Sequence, residues 1–163
     1  MSVLDCSELT TWRKTIMADY NDEYTQRTSE GANLAETKCV EFLKAQSNLF
    51  WYKFGFDEQT RNIPVNYFSK IPETLRNMPD YVCIKHKSFF LECKGYKHFL
   101  KIKNDDLSSY RFWANVMDLY FFAFDCVGMK HHILSLNKLL NLIEKSDTGR
   151  YPDNNKLYYK VKI

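Results

Sequence analysis

Two carboxylates and an ammonium stand close together in the chain: Asp80 follows Pro79, and eleven residues separate it from Glu92-Cys93-Lys94. Residues two apart on a strand point to the same face. Glu92 and Lys94 are therefore expected to project together, with Cys93 on the opposite side. A turn near His86–Lys87 would return the chain and bring Glu92 toward Asp80. Two carboxylates a few ångströms apart repel and raise each other's pKa. A hard divalent cation removes that conflict, because Mg²⁺ takes carboxylate oxygens and keeps part of its water. Such a cation polarises a phosphoryl oxygen and lowers the pKa of a bound water. An ammonium at Lys94 can orient that water or stabilise charge developing on the phosphate. The Cys93 main-chain carbonyl is a further candidate ligand. The plainer alternative is a surface hairpin with an ordinary cross-strand ion pair.

The elements that must position these groups can be read from periodicity. Tyr81–Ile84 and Phe89–Lys94 read as two strands joined by a tight turn over Lys85–Ser88, with Gly95 ending the hairpin. Before it, Ser7 can cap a helix carrying Leu9, Trp12, Ile16, Tyr20 and Tyr24. Thr25–Gly31 looks like a break. A second helix is expected over Asn33–Ala45, with Asn33 and Glu36 placed as a capping box. Aromatic segments Phe50–Phe56 and Ile63–Phe68 suit strands. After the hairpin come a helix over Asp105–Met117 with Leu107, Tyr110, Trp113 and Met117 on one stripe, and a buried strand over Leu119–Asp125. A shorter strand over His132–Leu136 follows, then a helix over Asn137–Glu144. The tail Lys156–Ile163 alternates like an edge strand. The expected architecture is one α/β domain over residues 1–163, a mixed sheet flanked by helices.

Pro79-Asp80, followed by Glu92-Cys93-Lys94-Gly95, resembles the PD-(D/E)XK nuclease superfamily. That superfamily includes restriction endonucleases, phage and archaeal Holliday-junction resolvases and some homing endonucleases. The motif matches in full, in a hairpin of the expected length. The resemblance covers roughly Asn33–Asp125; the first thirty residues and the last thirty-five have no clear counterpart. It implies a restriction-endonuclease-like core and Mg²⁺-dependent hydrolysis of DNA phosphodiester bonds, with Mn²⁺ able to substitute. It also implies an acidic metal ligand on the helix before the hairpin, for which Glu36 and Glu41 are the candidates. Ala35, Cys39, Val40, Phe42 and Leu43 define that helix's apolar face. Glu36 falls at its border, about 60° from its centre by helical geometry, and Glu41 nearly opposite. Glu36 is therefore the expected ligand beside Asp80 and Glu92, although it also fits as a capping-box carboxylate. Lys97, His98, Lys101 and Lys103 follow the motif. By the resemblance, Lys97, Lys101 and Lys103 are expected to contact DNA phosphates, with affinity that falls with salt.

Composition limits the alternatives. Hydrophobic residues make up 45% and charged residues 26%, which fits a folded chain rather than a disordered one. The net charge of +3 does not advertise nucleic acid, so the distribution of charge matters more than its sum. Five cysteines with no paired Cys/His spacing argue against zinc fingers and a disulfide framework. Free thiols, no apolar run of signal-peptide type and no membrane-length stretch fit a cytoplasmic protein, the host cytoplasm if phage-encoded. His131 and His132 are strand neighbours that face opposite ways and are not expected to share a metal. The Trp12/Ile16/Tyr20 stripe reads as packing, or as a dimer contact. Symmetric double-strand cutting would need a homodimer, since one site cuts one strand. The DNA is read as a duplex site of homing type, with a branched junction as the alternative and a non-catalytic DNA-binding module as a third reading.

Overall fold

The computed structural model describes residues 34–55 and 70–163, together with residues 32 and 67. The expected helix over Leu9–Tyr24, its cap and the cap at Asn33 lie outside the described residues. The described chain builds a mixed α/β structure from two sheets and four helices. Helix α1 covers residues 34–45 and α2 is the short Glu73–Arg76. Helices α3 and α4 span Asp106–Val116 and Leu136–Ile143. The main sheet holds β1 (Phe50–Lys53), β2 (Tyr81–Ile84), β3 (Ser88–Tyr96), β5 (Leu119–Asp125) and β6 (Lys130–Ser135), in the spatial order β1-β2-β3-β5-β6. The second sheet holds β4 (Leu100–Lys103), β7 (Asp147–Arg150) and β8 (Leu157–Val161), in the order β4-β8-β7.

Strands β1, β2 and β3 are antiparallel neighbours, and β5 and β6 pair antiparallel. The β3–β5 pair is parallel, with Phe90 opposite Leu119 and Tyr96 opposite Asp125. A parallel pair needs a long crossover, and here β4 and α3 supply it. Because β3 and β5 are central, both of their faces must be covered, which explains the nearly unbroken apolar run Leu119–Phe124.

Alternation sorts the core into two layers. On one side of the main sheet, Ala35, Cys39 and Leu43 of α1 bury Tyr81, Cys83, Leu91, Phe122 and Phe124. On the other side, Tyr110, Trp113, Leu139 and Ile143, with Leu100, Ile102 and Val161 from the second sheet, bury Phe90, Phe121, Ala123 and Leu134. Each fully buried ring or large aliphatic side chain stabilises the fold by roughly 1.5–3 kcal/mol. Ser135 caps α4, its hydroxyl accepting the Lys138 N–H at 3.3 Å.

Several boundaries differ from the sequence expectation, each for a tertiary reason. Gly95 does not end the hairpin. The strand runs on to Tyr96 because β5 pairs with Gly95 and Tyr96 from the other side. β1 stops at Lys53 instead of reaching Phe56, and Tyr67 is helical rather than part of a strand. β6 starts at Lys130, opposite Asp125, and Leu136 belongs to α4 beyond its Ser135 cap. The tail is not an edge: β8 is the middle strand of the second sheet, between β4 and β7. The stretch holding Lys101 and Lys103 is strand β4, which had no expected secondary structure. Among the described residues, no helix is long and apolar enough to cross a membrane.

Candidate active site on the β2–β3 hairpin

The hairpin forms with a turn one residue shorter than expected: β3 begins at Ser88 rather than Phe89, so Ile84 lies opposite Ser88 and Tyr81 opposite Leu91. Asp80, one residue before β2, therefore stands across from Glu92. Its backbone is pinned as the chain leaves β1: the Phe54 and Gly55 amides both donate to the Asp80 carbonyl, at 2.8 and 3.2 Å. Gly55 permits this approach, since a Cβ there would lie 3.1 Å from the Pro79 carbonyl oxygen and 3.2 Å from Asp80 Cα.

The side chains then converge. The Cys93 backbone N–H donates to Asp80 Oδ2 at 2.7 Å. Lys94 Nζ lies 2.7 Å from Glu92 Oε1, the pairing expected for strand residues two apart. Glu92 is only 7% exposed, whereas the Lys94 side chain keeps 29% exposure and so can meet a ligand from solvent. The structure adds a residue that the sequence alone did not single out. Tyr110, buried on α3, donates its hydroxyl to Glu92 Oε1 at 3.2 Å, and its ring centre lies 6.0 Å from Lys94 Nζ. The signal was present: a tyrosine on a buried stripe must find a partner for its hydroxyl. The sequence could not say which partner.

The electrostatics follow from this crowding. Burial, then the neighbouring Glu92, push Asp80 up from 3.8 to about 7, against the opposing pull of Lys94, the Cys93 N–H and Lys53. Burial pulls Lys94 down, but Glu92, Tyr110, Asp106 and Asp80 together hold it well above its ordinary value, so it stays charged. Burial and Glu92 hold the Tyr110 phenol well above its usual range, so it remains a donor. The Cys93 thiol lies on the opposite face beside Cys39. That neighbour and its burial push it far up, which excludes a reactive thiolate.

Glu36 is placed differently from the other two carboxylates. It forms an ion pair with Lys53, whose ammonium also lies 4.9 Å from the Tyr81 ring centre. Lys53 is opposite Tyr81 in the β1–β2 register and its charge is felt at Asp80. Glu36 is thus tied to the rim of the site through Lys53, a second residue not anticipated. Glu41 faces away and pairs with Lys38 on its own helix at 2.7 Å. Among the described residues, no three His, Cys, Asp or Glu side chains are grouped to hold a metal ion. The Cys93 backbone enters through its N–H. Lys97 and His98 are exposed in the β3–β4 connection, and Lys101 and Lys103 are exposed on β4. His131 stacks on Phe122 with ring centres 5.0 Å apart. His132 leaves a buried Nε2 unpaired. The two histidines do not converge.

The Asp80–Glu92 pair fits a hard cation in chemistry. Both donors are carboxylates, they face one another across a hairpin, and burial together with Glu92 pushes Asp80 up to about 7. Among the described residues, the hydrogen bonds and the Lys94 ion pair fall on Asp80 Oδ2 and Glu92 Oε1. No protein-family model, curated protein or solved structure matches the chain.

Proposed function

We propose that this protein is a Mg²⁺-dependent DNA endonuclease of the PD-(D/E)XK type. The observation that carries the proposal is the convergence of Asp80, Glu92 and Lys94 on one face of the β2–β3 hairpin, with Asp80 raised to about 7. Asp80, Glu92 and the Cys93 carbonyl would hold the cation, with Glu36 reaching it if it exchanges its Lys53 partner. When bound, Mg²⁺, or Mn²⁺ in its place, would polarise the phosphate and acidify a water.

The protein's own groups do the rest. Lys94 keeps its charge and places an ammonium where negative charge develops on the phosphate. Tyr110 fixes Glu92 from below. The partly exposed Lys94 side chain puts this chemistry at the surface, where a DNA backbone can reach it. The order helix, hairpin, helix within a mixed sheet supports the restriction-endonuclease-like reading. We favour a duplex, homing-type substrate, because the second sheet adds surface that the hairpin core does not need. A four-way junction is the alternative. One site per chain cuts one strand, so double-strand cleavage would use a homodimer.

A non-catalytic DNA-binding module is the second reading. It draws on Glu92 being already neutralised by Lys94 and held by Tyr110. The two readings separate in one assay: cleavage of supercoiled plasmid, linear duplex and a synthetic four-way junction, with Mg²⁺ or EDTA and with Glu92→Ala as control. Metal-dependent cutting that is absent from Glu92→Ala is expected. Binding without cutting of any substrate would overturn the enzyme in favour of the module.

A further inference from the structure

The second sheet presents its outer face to solvent, and that face is basic and aromatic. Lys101 and Lys103 alternate outward from β4 while Leu100 and Ile102 point into the core. Across the β4–β8 ladder, Lys160 is directly opposite Lys101, and Tyr158 is opposite Lys103. Like charges placed directly opposite each other in a sheet are destabilising. No carboxylate forms an ion pair with any of the three lysines among the described residues. Asp147 faces Lys160 in the β7–β8 register without bridging to it.

Aromatic rings hold Lys101 and Lys160 instead. Lys101 Nζ lies 5.1 Å from the Tyr158 ring centre, 5.6 Å from Tyr151 and 5.9 Å from Phe99. Lys160 Nζ shares Phe99 at 5.8 Å. Tyr158 packs against Gly149, its partner across the β7–β8 ladder, where a Cβ would meet its Cζ at 2.6 Å. The rings attract the ammoniums without neutralising them. The result is a set of positive charges without carboxylate partners among the described residues, two of them held against rings, in a chain whose net charge is only +3.

The sheet that carries this face is joined, from its inner side, to the candidate active site. Tyr159 donates its hydroxyl to Asn104 Oδ1 at 3.1 Å, and Lys156 pairs with Asp105 at 2.9 Å. The next residue, Asp106, is near enough to Lys94 to raise its pKa. The C-terminal hairpin therefore grips the loop that borders the site.

We propose that the outer face of the second sheet is an accessory contact for the DNA backbone, in which Lys101, Lys103 and Lys160 bind phosphates away from the scissile bond. Lys101 and Lys103 are two strand residues apart, about 7 Å, so they can serve successive phosphates of one strand. A bridging phosphate also relieves the Lys101–Lys160 opposition. The inference rests on the nuclease reading for its partner. It extends that reading by giving residues 147–161 a role in holding substrate.

The test uses the full chain carrying Asp80→Asn and a labelled linear duplex, with the dissociation constant measured over a series of KCl concentrations. Adding Lys101→Gln, Lys103→Gln and Lys160→Gln is expected to weaken binding about 10–100-fold near physiological salt. It should also make the log–log salt slope shallower by about 2–3, close to one unit for each phosphate that is no longer neutralised. With Asp80 restored, the triple variant should keep its maximal cleavage rate at saturating duplex and need more DNA to reach it. If thermal melting shows that the Lys160 change unfolds the sheet, the Lys101→Gln/Lys103→Gln pair, both exposed, gives the same readout with a slope change of about 1–2. An unchanged slope in a protein that binds DNA overturns this inference alone. Failure of the Asp80→Asn chain to bind any duplex at low salt overturns it together with the nuclease reading.

Discussion

The hairpin site and the lysine face of the second sheet are both charged surfaces, and they hold charge in opposite ways. At the hairpin, like charges are forced together and partly buried: Asp80 meets Glu92, and burial lifts Asp80 to about 7. On the second sheet, Lys101 and Lys103 are exposed, and aromatic rings restrain Lys101 without burying it. A buried like-charge pair costs folding free energy and is tolerable where a ligand neutralises it. An exposed lysine costs little, and its effect appears when a polyanion arrives. Removing charge should therefore trade stability against activity at the first region, and change mainly affinity at the second.

The largest break in that comparison is Asp80→Ala or Lys94→Ala. Either should lower plasmid cleavage by at least about 10³-fold, the scale of removing a metal ligand or a charge-stabilising group, with an unchanged circular dichroism spectrum. Wild-type cutting by either variant would mean that the hairpin is not the site. Next in size, Glu36→Gln should slow cleavage roughly 10–100-fold, the range for groups that support a metal site, while Glu41→Gln leaves the rate alone. Equal rates for the two variants would return Glu36 to a purely structural place beside Lys53.

The stability side is read in EDTA. The folded chain holds the Asp80 proton up to about pH 7, whereas the unfolded chain loses it near its ordinary 3.8. Between those values the folded state binds the extra proton, so stability falls as pH rises through the window, and the full penalty remains above it. Asp80→Asn should therefore be more stable than wild type by roughly 1–3 kcal/mol at pH 8, and by little at pH 4. A melting temperature that is higher by the same amount at both pH values would show that the gain is not electrostatic. The smallest effect sharpens the role of Tyr110. Tyr110→Phe keeps the ring under Lys94 but removes the hydrogen bond to Glu92. It should lower kcat by about tenfold with KM unchanged, at a stability cost of about 1–2 kcal/mol. A change in KM alone would place Tyr110 in substrate binding.

Much of the frame was legible in the chain. Asp80, Glu92 and Lys94 could be placed together because strand alternation and a short turn are local rules, although the turn is one residue shorter than expected and the register shifts with it. The helices over 106–116 and 136–143 were visible from apolar spacing, and Leu119–Asp125 from its unbroken hydrophobicity. Helical spacing placed Glu36 at the border of the apolar face and Glu41 opposite it, but it did not reveal the Glu36–Lys53 ion pair. Strand β7 was missed because Asp147–Arg150 carries no apolar residue to mark a period, whereas Leu100–Lys103 does alternate but its two lysines drew the reading to charge.

The sequence by itself determined which residues share a face within each strand or helix, since that follows from backbone geometry over a few residues. It therefore specified the carboxylate–lysine arrangement of the hairpin. Only the tertiary structure decided which elements meet. It set Tyr110 against Glu92 from eighteen residues away and Lys53 against Glu36 from seventeen. It also placed Lys160 beside Lys101 by making the C-terminal strand the centre of a second sheet. Those pairings depend on how apolar faces pack across long loops, and no local rule carries that information.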